Sequence, residues 1–204
     1  MNTLCNDPYI YTIDNFLTNK ECKFIIDVSK DNLKLAGVSK LNDEKNLEPG
    51  KYKGRTNSSY WMLHDSYPET LRIAKKIAKK IGCNYKHFES YQVIHYNEQE
   101  EYKYHYDAYD KNETEKYKKY CDERGNRLRT VLVYLNDVEE GGGTGFDSLS
   151  EYDREVVVEP KMGKMVVFNN VNDDGSLNKK SRHSGLPVIK GEKWAFNLWL
   201  RERE

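Results

Sequence analysis

The sequence predicts a mainly β domain preceded by helices, an α+β chain whose later part is a sandwich or a jelly-roll barrel. Two observations carry this. Helical periodicity is confined to the first 84 residues, and after Tyr85 short β-branched and aromatic runs recur seven times with turn residues between them. The length, 204 residues, fits one domain, with residues 1–84 as an N-terminal strand and supporting helices and 85–204 as the β core.

Taken in order, Tyr9–Ile13 is a short β-prone run. Thr18 and Glu21 have capping-box spacing, and Cys22, Ile25, Ile26, Ser29 and Leu33 follow at helical intervals. Residues 39–54 are polar, contain Pro49-Gly50 and read as a loop. A second helix begins at Pro68, buries Leu71, Ala74, Ala78 and Ile81, and stops at Gly82. Its Lys75, Lys76, Lys79 and Lys80 read as a solvated face. The predicted strands are Tyr91–Tyr96, Tyr102–Tyr106, Thr130–Leu135, Glu155–Glu159, Met165–Asn169, Leu186–Ile189 and Lys193–Leu200. Segments 108–129 and 170–182 are polar interruptions, the first charged and mobile, where substrate contacts are expected.

Composition narrows the function. Lys+Arg and Asp+Glu both number 33, so a broad basic face for nucleic acid is not expected. No run has the roughly 20 apolar residues of a membrane helix, so no membrane partner is expected. The four cysteines form no CxxC pair, and the first residues lack signal-peptide character. These point to a reducing, cytoplasmic location. The run Gly141–Gly145 lacks the GK[ST] ending of a phosphate loop and reads as a turn.

The chemistry concentrates in two places. His105 and Asp107 are two apart in a strand-like run, so alternation aims both to one face. Such a pair is either a structural hydrogen bond or two ligands of a metal, completed by a distant third ligand into the facial triad of non-haem iron oxygenases. Near the C-terminus, Lys193 shares a strand face with Ala195, Asn197, Trp199 and Arg201, opposite Trp194, Phe196, Leu198 and Leu200. A lysine on an inward face needs an anion beside it.

Five blocks then resemble one family: Arg55–Ser58, Tyr91–Asp107, Thr130–Phe146, Pro160–Asn169 and His183–Trp199. Together, from about Tyr9 to Arg201, the chain resembles the prolyl 4-hydroxylases of the Fe(II)/2-oxoglutarate dioxygenases, particularly the small microbial and viral forms. The resemblance implies a double-stranded β-helix (cupin-like jelly roll). It makes His105, Asp107 and His183 the Fe(II) ligands and Lys193 the partner of the far carboxylate of 2-oxoglutarate. Tyr96 and Thr130 match positions that help bind that carboxylate, and Tyr134 shares the parity of Thr130. Trp199 matches a tryptophan bordering cosubstrate and substrate, and Arg55 falls on a substrate-side loop. The implied reaction is hydroxylation of peptidyl proline, at C4, with O2 as second cosubstrate, succinate and CO2 released, and L-ascorbate as reductant. The implied partner is a proline-containing peptide or protein, and the setting is a bacterial or virus-infected cytoplasm. The chain departs from the family pattern at Gly143 and Asp147, where Glu and Pro are frequent, and at Arg201, where peptide-binding members often carry histidine. Competing readings are the same chemistry on another residue or free amino acid, a non-catalytic metal-binding β-barrel, and a zinc hydrolase built on the same three ligands.

Overall fold

The computed structural model describes residues 1–38, 54–121, 123–147, 149 and 155–204, so the predicted loop at 39–54 lies, Gly54 apart, outside the described residues. In chain order come β1 (Asn2–Asn6), β2 (Tyr9–Ile13), helix α1 (Asn19–Ser29), β3 (Lys34–Leu35), β4 (Ser58–Met62) and helix α2 (Pro68–Ile81). Next are β5 (Tyr91–Tyr96), β6 (Tyr102–His105), helix α3 (Thr114–Cys121), β7 (Arg127–Tyr134), β8 (Glu140–Gly141) and β9 (Thr144–Phe146). The last are β10 (Val156–Val158), β11 (Met165–Asn169), β12 (His183–Gly185), β13 (Val188–Lys190) and β14 (Lys193–Arg201).

Eight strands form the major sheet in the order β1-β2-β11-β7-β14-β5-β4-β3. Facing it is a four-stranded sheet, β10-β9-β12-β6, with β13-β8 as a short ribbon. Every pairing among the described strands is antiparallel, giving the jelly roll of a double-stranded β-helix. The first 84 residues supply both edges of the major sheet, β1 and β2 at one side and β3 and β4 at the other.

The central strands are buried on both faces, so they read as continuous apolar runs. On β14, Trp194, Phe196, Leu198 and Leu200 pack with Val131 and Val133 against α1 and α2. Ala195 joins Ile94, Tyr96, Leu132, Tyr134, Phe146 and Phe168 between the sheets. Lys193, Asn197 and Trp199 share the face of Ala195, so alternation alone carries these polar groups into the space between the sheets.

Helix α2 opens on Pro68 and ends at Gly82, whose φ of 73° is the left-handed cap a glycine adopts without strain. Its lysine face is not wholly solvated. Lys76 Nζ reaches Glu21 (3.2 Å) and the Phe16 carbonyl (2.8 Å). Glu21 closes the capping box of α1, taking the Thr18 amide at 2.8 Å and giving its own amide to Thr18 Oγ1 at 3.3 Å. It also pairs with Arg72 at 2.9 Å, so one carboxylate ties α1 to α2. Burial alone would raise the Glu21 carboxyl, but Thr18, Lys76 and Arg72 together hold it at about 2. Its stabilising contribution is therefore complete above its ordinary value of 4.5 and is lost as pH falls toward 2. Glu21→Ala should lower unfolding stability by about 1–3 kcal/mol at neutral pH, read from urea denaturation, with the deficit shrinking in acid.

The structure differs from the sequence reading in several places. The charged segment 108–129 contains α3, and β7 begins three residues before Thr130. Strand β12 is only His-Ser-Gly, with no apolar signature, and its pairing on both sides with β6 and β9 makes it a strand.

Candidate active site

His105 closes β6 and His183 opens β12, and the two are direct cross-strand partners. Their rings lie 4.4 Å apart, centroid to centroid. Asp107 lies just past the end of β6, so alternation does not aim it. Its carboxylate is held instead by the Thr130 hydroxyl, which donates to Oδ2 at 2.6 Å. Asp107 Oδ1 is 3.7 Å from His105 Nε2, and Oδ2 is 3.4 Å from His183 Nε2. One ligand atom from each of the three residues falls within 4.8 Å of the others.

Hydrogen bonding sets the imidazole tautomers. His105 Nδ1 faces the Lys103 carbonyl at 2.8 Å, and His183 Nδ1 faces the Ser181 carbonyl at 2.9 Å. A carbonyl only accepts, so each Nδ1 carries a proton and each Nε2 is the nitrogen turned to the cluster. Burial above all holds the His105 imidazole neutral. Burial would raise the Asp107 carboxyl, but His183, His105, Arg127 and the Thr130 hydroxyl outweigh it and keep it ionised. Two imidazoles presenting Nε2 and one carboxylate, tethered from behind, are the donor set that a divalent iron centre uses. The residues fit the metal.

The other half of the pocket lies further along β14. Lys193 pairs in register with Tyr96 on β5 and is 1% exposed. Its ammonium sits 4.9 Å from the Tyr96 ring centroid and 5.5 Å from that of Tyr134. No carboxylate among the described residues lies within ion-pairing distance of it, and burial pulls its pKa down to about 7. Such a charge is costly unless an anion joins it. The Tyr96 hydroxyl needs Gly185, where an added Cβ would come within 3.0 Å of it.

Two residues expected to contact the cosubstrate have hydrogen-bond partners within the protein. Thr130 pairs with Trp199 across β7 and β14, six residues along β14 from Lys193. Its hydroxyl is committed to Asp107, which places it at the ligand cluster and away from the ammonium. The Tyr134 hydroxyl lies 2.6 Å from Thr144 Oγ1 and 3.0 Å from the Val158 carbonyl. Both bonds form when Thr144 donates to Tyr134 and Tyr134 donates on to Val158, so Tyr134 turns its ring, and no spare proton, toward Lys193.

A cleft of about 550 Å³ reaches His105 and Asp107 from outside. Trp199 stands in its wall, with the Arg127 guanidinium 3.7 Å from its ring and Trp61 at 5.7 Å on an adjacent strand system. Arg127 is clamped by Glu89 through bonds of 2.6 and 2.8 Å and donates to the Asp107 carbonyl at 3.4 Å. Arg55 also lines this cleft, 4.4 Å above the Tyr102 ring, and Tyr102 in turn stacks on His105 at 3.6 Å. Sequence reasoning missed Trp61 and Gln92, which come to the site through the pairing of β4, β5 and β14, and Glu89, whose amide donates to the Trp199 carbonyl at 2.9 Å.

The 2OG-Fe(II) oxygenase superfamily model matches residues 91–201, more than half of the chain. "Probable prolyl 4-hydroxylase 10" of Arabidopsis thaliana is 33% identical over 213 residues, covering 97% of this chain and 70% of that one. The viral collagen prolyl hydroxylase of Paramecium Bursaria Chlorella virus-1, solved with 2OG, superposes with a TM-score of 0.70 at 29% identity, over 97% of this chain and 98% of that one. A Pseudomonas putida prolyl-4-hydroxylase shares the fold, with a TM-score of 0.63 at 20% identity, over 95% and 92% of the two chains. With these matches and the tethered His105, Asp107 and His183 cluster, the chain belongs to the 2OG-Fe(II) oxygenase superfamily, within its prolyl 4-hydroxylase family.

Proposed function

We propose that the protein hydroxylates prolyl residues of a peptide or protein at C4, consuming 2-oxoglutarate and O2 and releasing succinate and CO2. One observation carries this reading: a buried ammonium with no acid partner among the described residues shares the space between the sheets with a three-residue cluster of metal-ligand type. A diacid long enough to span both accounts for the two together.

In this reading His105, Asp107 and His183 hold Fe(II), which with its cosubstrates supplies the oxidising power to replace an unactivated C–H by C–OH. Lys193 takes the far carboxylate through a charge-assisted bond, and Tyr96, its register partner, adds a hydroxyl. Trp199, backed by Arg127, walls the cosubstrate side from the cleft and excludes water. The peptide enters along the cleft, past Arg55, and presents one ring carbon near the ligand cluster. Ascorbate serves as reductant after turnovers that oxidise no peptide. All four cysteines are free thiols, which supports a reducing compartment such as the cytoplasm. No helix among the described residues is long and apolar enough to cross a membrane.

The test is incubation with Fe(II), ascorbate and 2-oxoglutarate alongside peptides carrying proline in several contexts. Succinate should form in step with peptides heavier by one oxygen, located on proline by fragmentation. Oxygen found on another residue type would move the substrate while keeping the chemistry. No succinate with any peptide would favour a non-catalytic binding module.

A further inference from the structure

We propose that Thr130 and Asn170 are positioning residues for the metal, a buried relay that fixes the Asp107 carboxylate and couples it to His183. The inference rests on the metal-centre reading above and assigns Thr130 to the iron rather than to the cosubstrate.

The relay follows from proton counting. Thr130 Oγ1 has one proton and donates it to Asp107 Oδ2 at 2.6 Å. Thr130 Oγ1 is then only an acceptor toward its other neighbour, Asn170 Nδ2, at 2.9 Å. That fixes the orientation of the Asn170 amide, which in the opposite sense would set oxygen against oxygen. Asn170 and Thr130 are 0% and 1% exposed, so no solvent competes for these bonds. With Oδ2 occupied by the hydroxyl, Oδ1 is the carboxylate oxygen with both lone pairs open.

Asn170 also reaches the third ligand through its backbone. Its amide donates to the Leu128 carbonyl at 2.9 Å, and its carbonyl accepts from the Asn178 amide at 3.0 Å. The Asn178 carbonyl takes the Ser181 hydroxyl at 2.7 Å, and the Ser181 carbonyl takes His183 Nδ1 at 2.9 Å. One residue just past β11 thus anchors Asp107 by its side chain and the turn that aims His183 by its main chain. The Asn170 Oδ1 atom is buried with no partner among the described residues. An amide left half-satisfied in a core costs stability, which a purely packing role would not repay.

The experiment uses the full chain and Co(II) as the probe ion. Thr130→Val, nearly the same shape without the hydroxyl, should weaken Co(II) binding about 10- to 100-fold, the range for partners that orient metal ligands. Thr130→Ser should restore affinity to within about threefold of the starting protein. The affinity for 2-oxoglutarate, titrated at saturating Co(II), should not move in either variant. Should Thr130→Val fail to fold, Asn170→Ala serves instead: it removes the amide donor, leaves the hydroxyl in place and should weaken Co(II) about 3- to 30-fold. Unchanged Co(II) affinity in the variant that folds would overturn the relay. So would a loss confined to 2-oxoglutarate affinity, which would return Thr130 to the cosubstrate pocket. Failure of the unaltered protein to bind Co(II) would overturn the metal centre itself, a different result from metal binding that ignores Thr130.

Discussion

Replacing Lys193 with methionine should raise the 2-oxoglutarate concentration needed for half-maximal turnover by roughly 30-fold to a few thousand-fold. Truncating one member of a buried, hydrogen-bonded charge pair costs about 2–5 kcal/mol, and each 1.4 kcal/mol is tenfold. The same change should stabilise the ligand-free protein by on the order of 1–3 kcal/mol, because the ammonium is buried with no acid beside it among the described residues. The two effects have opposite signs, and denaturation with and without 2-oxoglutarate separates them. The pH dependence follows. The folded ammonium titrates near 7 and the unfolded one near 10.5, so between these values the unfolded chain holds a proton that the folded chain lacks. Ligand-free stability therefore rises as pH climbs through this window. Binding of a dianion that needs the cation takes up a proton there and weakens over the same climb. Calorimetric titration in two buffers of different ionisation enthalpy reads that uptake directly. An unchanged 2-oxoglutarate requirement in Lys193→Met would mean that the ammonium serves only the fold.

Asp107→Asn should abolish turnover and cut divalent-metal affinity by about two to four powers of ten, the equivalent of roughly 3–5 kcal/mol for removing one charge from a buried pair. Asparagine keeps the shape and can still accept from Thr130, so the fold should survive. The loss then reports the missing charge and not a collapsed pocket. Metal content after dialysis against a defined Fe(II) concentration, measured beside peptide oxidation, checks this. Full iron occupancy in the variant would mean that another group completes the ligand set.

The major features were legible where one strand or helix speaks for itself. The alternation along 193–201 correctly placed Lys193 and Trp199 on the inter-sheet face, and Thr18 with Glu21 marked the start of α1. Pro68 and Gly82 bounded α2 because each suits one end of a helix and little else. His105 and Asp107 do converge, although the strand ends at His105 and a hydroxyl from β7 does the aiming. Local pattern was silent where long-range pairing decides. Strand β12 has three small or polar residues, and β1 is a polar edge strand held only by β2. Side-chain hydroxyls were hardest to read, since Thr130 and Tyr134 share a strand face but bond to different partners, Asp107 and Val158. Family likeness gave the positions; donor and acceptor counting gives their partners within the protein.

The cleft is lined by His105 and Asp107 but not by Lys193, which is buried near Gly142. The cleft that a polypeptide would occupy is thus also a way in to the ligand cluster, and a diacid using it would have to arrive first.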